Sequence, residues 1–272
     1  MSTPYPGHMT IAAFFDLDNT VIRGSSLFHF ARRMVGEGFL TRRDLARFAF
    51  REFKYVWTKT ESKSTTRFVS DRGLSIVTGL DASAMESLCN RVVGEFLEEV
   101  LIPEVRDRIR QHQEQGHKTW LVTASPIEMA LPISQYLGMD GALATIPEVR
   151  EGRYSGYLHG TIMRGPAKGE AIRLLAGREN IDLDQSYAYS DSINDLPMLS
   201  IAGSAWVVNA NKDLLRIAKK NSWGVINTTT PDISHSLPRV ISEVMTHEAH
   251  PWSRSTVKAN ADFLGFNRYN LL

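Results

Sequence analysis

Short apolar runs alternate with longer amphipathic stretches along this chain, and the alternation predicts strands separated by helices. The first run, residues 11–15, ends abruptly in Asp16, Asp18, Asn19 and Thr20. A short apolar run with polar flanks reads as a buried strand of a parallel sheet. Further strands are predicted at residues 119–123, 142–145, 185–190, 205–208 and 223–226. Residues 149–158, turning at Glu151, Gly152 and Arg153, read as a hairpin. Between them lie helical patterns. One covers residues 27–35 and is broken by Gly36 and Gly38. Thr41 is a candidate N-cap for a second, whose stripe is Leu45, Phe48, Ala49, Phe53 and Val56. Ser83 and Glu86 fit a capping box for a third, reaching Val100. Residues 103–116 form an amphipathic helix closed by Gly116. Ser125, Pro126 and Glu128 have the spacing of a cap, a first-turn proline and a closing acid for the next. Gly165, Pro166, Ala167 and Lys168 open another, and residues 232–247 suggest a last one.

This order predicts an α/β fold, a mainly parallel sheet with helices on both faces. Such sheets take ligands at the carboxyl ends of their strands. Asp16, Thr123 and Asp191 are expected to meet there.

Composition narrows the function classes. The chain has 272 residues, 43% of them hydrophobic, enough for one large domain or two. A formal net charge of +1 gives no reason to expect a nucleic-acid partner. Cys89 is the only cysteine, so no intrachain disulfide forms, which fits a reducing compartment. The first nine residues, with Pro4, Pro6 and His8, read as neither signal peptide nor membrane span. No apolar stretch approaches the ~18 residues of a membrane helix. A soluble cytoplasmic protein is the expectation.

The chemistry starts at the first strand. In a strand, residues two apart share a face, so Asp16 and Asp18 would point the same way. Two carboxylates aimed together at a buried strand end repel each other and resist desolvation. A divalent cation relieves both problems, leaving Asp16 ionised as a nucleophile and Asp18 free to carry a proton. The bland alternative is a strand end followed by an Asn-Thr turn, and this stretch alone does not choose between them. Thr123 falls where a strand passes into a helix, a place that suits a phosphate. Ser125 reads as a cap rather than a catalyst. Lys168 in a first helical turn opposes the helix dipole, and a phosphate at that helix end would account for it. Asp191 and Asp195, four apart, share one face if a helical turn begins there.

Taken in order, Asp16-Leu17-Asp18-Asn19-Thr20, Leu121-Val122-Thr123-Ala124-Ser125, Lys168 and Tyr189-Ser190-Asp191-Ser192-Ile193-Asn194-Asp195 resemble the four motifs of the haloacid dehalogenase superfamily. The likeness is greatest to its phosphoserine-phosphatase-like hydrolases and runs from about Ile11 to about Asn209. It implies a Rossmann-like core built from residues 1–23 and 101–247. It also implies an inserted helical cap at 24–100, with 248–272 left as a tail. The activity implied is magnesium-dependent hydrolysis of a small phosphorylated metabolite through an aspartyl-phosphate. Asp16 would be the nucleophile and Asp18 the acid and base. Magnesium would take the Asp16 carboxylate, the Asp18 main-chain carbonyl and the Asp191 carboxylate, with Asp195 orienting that set. Thr20, Thr123, Ala124, Lys168 and Asn194 would surround the phosphate, and Asn194 would reach substrate or Lys168.

Within the superfamily, Asp18 favours ester hydrolysis over dehalogenation, and the missing spans argue against a P-type pump. A phosphomutase would carry the same motifs. One departure stands out. Phosphoserine phosphatases read the substrate ammonium with an acidic residue early in the cap, where this chain has Gly24, Ser25 and Ser26. Arg72 is the nearest candidate for their carboxylate-reading arginine. Fold and reaction type carry over, then, while phosphoserine itself is only one alternative. A catalytically silent phosphate-binding module is another. Basic residues interleaved with aromatics between Arg32 and Arg72 also suggest contact with an anion beyond the scissile phosphate. A homo-oligomer is left open, because Trp252, Phe263, Phe266 and Tyr269 give the tail apolar residues to pack on the core or on a second subunit.

Overall fold

The computed structural model describes residues 9–36 and 77–228. The chain enters through β1 (Ala12–Phe15) and turns into α1 (Ser26–Gly36). It returns through α2 (Ala82–Val100) and α3 (Pro103–Glu114) to β2 (Lys118–Pro126). Then come α4 (Ile127–Tyr136), β3 (Gly141–Thr145), and the hairpin of β4 (Pro147–Arg150) and β5 (Arg153–Leu158). The last third holds α5 (Pro166–Glu179), β6 (Tyr187–Ser190), a 3₁₀ turn (Ile193–Asp195) and α6 (Leu196–Leu199). It closes with β7 (Ser204–Val208), α7 (Lys212–Lys220) and β8 (Gly224–Ile226).

Six strands form one parallel sheet in the order β3-β2-β1-β6-β7-β8. Strand order reverses between β1 and β6, so the crevice of such a sheet opens there, at the carboxyl ends of the strands. The hairpin β4–β5 forms a separate two-stranded sheet, bridged to the segment before α2 by Asp81 and Arg153.

Alternation along β1 assigns its residues to two cores. Ala12 and Phe14 pack with Ile172 and Leu175 of α5 and Leu214 and Ala218 of α7. Ala13 and Phe15 pack on the other face with Val92 and Phe96 of α2, Ile109 of α3 and Ile133 of α4. All four β1 residues are buried, so the strand is apolar throughout rather than alternating. On the second face Phe15 stacks on Tyr189 with ring centroids 4.4 Å apart. The Tyr189 hydroxyl pairs with His112 Nε2 at 2.8 Å, and His112 Nδ1 meets His117 Nδ1 at 2.9 Å. A rigid aromatic layer thus underlies the ends of β1 and β6.

Local signals resolve differently in three places. Helix α2 is capped by Asp81, whose carboxylate accepts the Ala84 N–H at 2.9 Å, and not by Ser83. Asp81 is free for this because the segment before α2 is tied to the hairpin: Ala82 N–H donates to Gly152 O and Gly79 N–H to Tyr154 O. Ser125 caps nothing, since β2 continues to Pro126 and α4 starts without a side-chain cap. Helix α7 went unread, although Asn211 accepts the Asp213 and Leu214 N–H groups as an ordinary N-cap. The expected helix after Thr41, the helix at 232–247, Arg72, most of the basic aromatic stretch and the tail lie outside the described residues.

Candidate active site

The loop after β1 carries the first two carboxylates, but strand geometry does not aim them. Asp16 N–H still donates to Tyr189 O of β6 at 2.9 Å, and the strand then ends. Leu17 O accepts from Thr20, Val21 and Ile22, and Asn19 takes a left-handed φ of 58°. This tight turn, not the pleat, brings Asp18 back within electrostatic reach of Asp16. Asn is among the few non-glycine residues that adopt such a φ readily.

Lys168 is the centre of charge. Its helix α5 opens with Gly165 at φ 53° and Pro166 in the first turn. The side chain is not solvated as a first-turn lysine usually is; it is 2% exposed. Its Nζ donates to Asp16 Oδ1 at 2.5 Å and to Asp195 Oδ2 at 2.7 Å. Burial works against the ammonium, but Asp16 and Asp195 outweigh it and hold its pKa above the usual lysine value.

Asp195 also accepts the Ser190 hydroxyl at 2.8 Å, and Ser190 Oγ accepts the Ser192 N–H at 3.1 Å. The 3₁₀ turn after β6 therefore delivers Asp195 to Lys168. Thr20 links the remaining pair. Its hydroxyl donates toward Asp16 Oδ2 at 3.2 Å and Asp191 Oδ1 at 3.5 Å, and accepts the Asp191 N–H at 3.0 Å. That single proton is engaged by carboxylates and the side chain is fully buried. Thr123, buried at the end of β2, accepts the Ser125 N–H at 3.1 Å and keeps its own proton to give. Beside it Ala124 is exposed where the register of β2 on β3 shifts, and Thr145 donates to its carbonyl at 2.7 Å. Asn194 is half-buried, with its N–H on Ser192 Oγ; its side chain does not bond Lys168.

Asp16, Asp18, Asp191 and Asp195 thus gather around one lysine. Burial first, then carboxylate neighbours, push Asp16 and Asp191 above the ordinary aspartate range, and only Lys168 pulls both down. Burial also raises Asp18. This imbalance, and the Thr20 hydroxyl shared between Asp16 and Asp191, mark where a hard divalent cation fits. Among the described residues no three His, Cys, Asp or Glu side chains form a closed metal cage. The donors would be two carboxylates, main-chain oxygen and water, a set that suits magnesium.

Ser26 and Ser190 make contacts that no motif signals, and Ser125, which has the spacing of a cap, bonds Ser26 instead. Serines at these places carry no distinguishing signal in sequence, because a cap, a turn and a ligand holder look alike.

A family model described as haloacid dehalogenase-like hydrolase matches residues 13–200. The phosphoserine phosphatase SerB1 of Mycobacterium tuberculosis is 34% identical over 220 residues, 81% of this chain and 71% of that protein. A Bordetella pertussis protein of unknown function superposes with a TM-score of 0.70 at 25% identity, over 80% of this chain and 98% of that one. A phosphoserine phosphatase solved as a phospho-aspartyl intermediate analogue shares the fold, with a TM-score of 0.57 at 18% identity, over 85% of this chain and 99% of that one. Among the described residues no helix is long and apolar enough to cross a membrane.

Proposed function

Because the chain belongs to the haloacid dehalogenase-like hydrolase family, we propose that it is a magnesium-dependent phosphomonoesterase working through an aspartyl-phosphate on Asp16. Its substrate is a small phosphorylated metabolite. The observation that carries this reading is the buried Lys168 bonded to Asp16 and Asp195, with Asp18 and Thr123 at the same crevice.

The residues divide the work as phosphoryl transfer requires. Lys168 and Thr20 fix the two oxygens of Asp16, so the carboxylate meets phosphorus in one orientation. As the Asp16–phosphorus bond forms and the ester bond breaks, Asp18 gives its proton to the leaving oxygen. Asp18 then takes a proton from water, which attacks the aspartyl-phosphate and releases phosphate. The Thr123 hydroxyl, the Ala124 N–H and Lys168 face the charge that develops on the phosphoryl oxygens. Asp16, Asp191 and the Asp18 carbonyl would hold magnesium, which would supply positive charge beyond that of Lys168. We read residues 24–100 as an inserted cap segment, the rest through residue 247 as core, and the location as cytoplasmic. The name of the mycobacterial relative favours phosphoserine as a candidate, whereas Ser25 in place of a carboxylate argues against it.

The test is hydrolysis of 4-nitrophenyl phosphate with and without magnesium. Activity should vanish on chelation, return with magnesium, and be lost in Asp16→Asn at unchanged thermal stability. An Asp16→Asn protein as active as the parent, or a parent with no activity on any phosphate ester, refutes the reading.

A further inference from the structure

Asp18 is held by something other than its own turn. Its Oδ1 accepts the N–H of Ser26 at 2.8 Å. Ser26 is the first residue of α1, so this N–H is one of the helix-end donors that have no partner within the helix. Ser25 occupies the capping position, with its hydroxyl accepting the Phe28 N–H at 3.3 Å. The Ser26 side chain is left over from that task, yet it is fully buried. A buried hydroxyl without a partner is costly, and Ser26 Oγ has one: Ser125 Oγ at 2.7 Å, itself 6% exposed. The two serines are 99 residues apart in the chain. Ser125 is anchored in turn, its N–H donating to the Thr123 hydroxyl at 3.1 Å.

One continuous path therefore runs from the Asp18 carboxylate through the Ser26 main chain and side chain to Ser125 and Thr123. It joins the acid to the phosphate-facing end of β2 and to the first helix of the inserted segment. The path leaves one Asp18 oxygen fixed. Resting on the phosphomonoesterase reading above, we propose that Ser26 is a positioning residue for Asp18, clamped by the Ser125 hydroxyl, so that proton delivery to the leaving group depends on this serine pair. Neither hydroxyl touches substrate; the pair acts by setting where α1 begins relative to β2.

A positioning role and a merely structural one differ in their dependence on the leaving group. An alkoxide needs the proton and 4-nitrophenolate barely does. Ser26→Ala keeps the N–H to Asp18 but removes both the clamp and the Ser26 hydroxyl beside Asp18; Ser125→Ala removes the clamp alone. Each should lower kcat for glycerol 2-phosphate by about tenfold, a fraction of the full effect of a general acid, and lower kcat for 4-nitrophenyl phosphate several-fold less. The double variant should be no worse than the worse single one, because both break the same contact. Equal losses on the two esters, additive losses, or no change in the alkyl-to-aryl ratio overturns the proposal while leaving Asp16-dependent hydrolysis intact. A parent without phosphatase activity overturns both readings. If Ser26→Ala fails to fold, Ser125→Ala alone decides, since it leaves the Ser26–Asp18 bond untouched.

Discussion

Replacing Lys168 by methionine removes the cation bonded to Asp16 and Asp195 while nearly preserving side-chain length. Two short contacts disappear, 2.5 Å to Asp16 and 2.7 Å to Asp195, from a side chain 2% exposed. Breaking a buried pair from one side usually costs about 3–5 kcal/mol, because the partner stays behind unpaired. Here each partner keeps a hydroxyl, Thr20 on Asp16 and Ser190 on Asp195, so the low end, about 3 kcal/mol, is expected. For a chain of this size that is a fall in Tm of about 6–12 °C. Removing Asp16 charge in the same background should recover part of the loss, so Lys168→Met with Asp16→Asn should melt above Lys168→Met alone. Turnover should suffer more than stability suggests, with kcat on 4-nitrophenyl phosphate down by about 10²–10³. Thermal unfolding in chelator and steady-state kinetics in magnesium measure the two effects separately. A Lys168→Met protein that melts within 2 °C of the parent (about 0.5–1 kcal/mol) and turns over at the parental rate would refute the charge-centre argument.

Three further outcomes follow from other parts of the molecule. Free phosphoserine should be turned over more slowly than ammonium-free phosphate esters, because Ser25 offers no carboxylate to its ammonium; a kcat/KM for phosphoserine well above theirs would reverse this. Asp81→Ala should cost about 1 kcal/mol through loss of the bond to the Ala84 N–H, readable as a small fall in Tm with turnover retained, and an unchanged Tm would show that the hairpin contacts alone fix the start of α2. Burial first, then His117 and Arg108, lower the His112 pKa to about 4 from an ordinary 6.5. The unfolded chain thus binds a proton between those values that the folded one refuses. Stability should be intact above pH 6.5 and lost progressively as pH falls toward 4, by about 1–2 kcal/mol after discounting for solvent screening. Denaturant unfolding of the parent and His112→Phe at pH 7 and pH 5 tests this, and equal pH dependence in both would remove His112 as the cause.

The sequence by itself determined the layer architecture and drew attention to the residues that gather around Lys168. Burial on both faces demands strands that are apolar at every position, and Ala12–Phe15 advertises that without any tertiary contact. Carboxylates placed just beyond such a strand, and a lysine in the first turn of a helix, are conspicuous because neither position favours them without a partner. How the groups are held was decided only by the tertiary structure. A spacing of two suggested that the pleat aims Asp16 and Asp18 together, yet β1 ends at Phe15 and a turn through a left-handed Asn19 does the aiming. Ser125 has the spacing of a cap, but the partner that claims its hydroxyl is Ser26, far away in the chain. Sequence placed Thr20 near the phosphate, and the fold turns its one proton toward Asp16 and Asp191. Short polar side chains bond to whatever the fold brings within 3 Å or so, and only the crossing of β1, β2 and β6 with the first turns of α1 and α5 determines which groups those are.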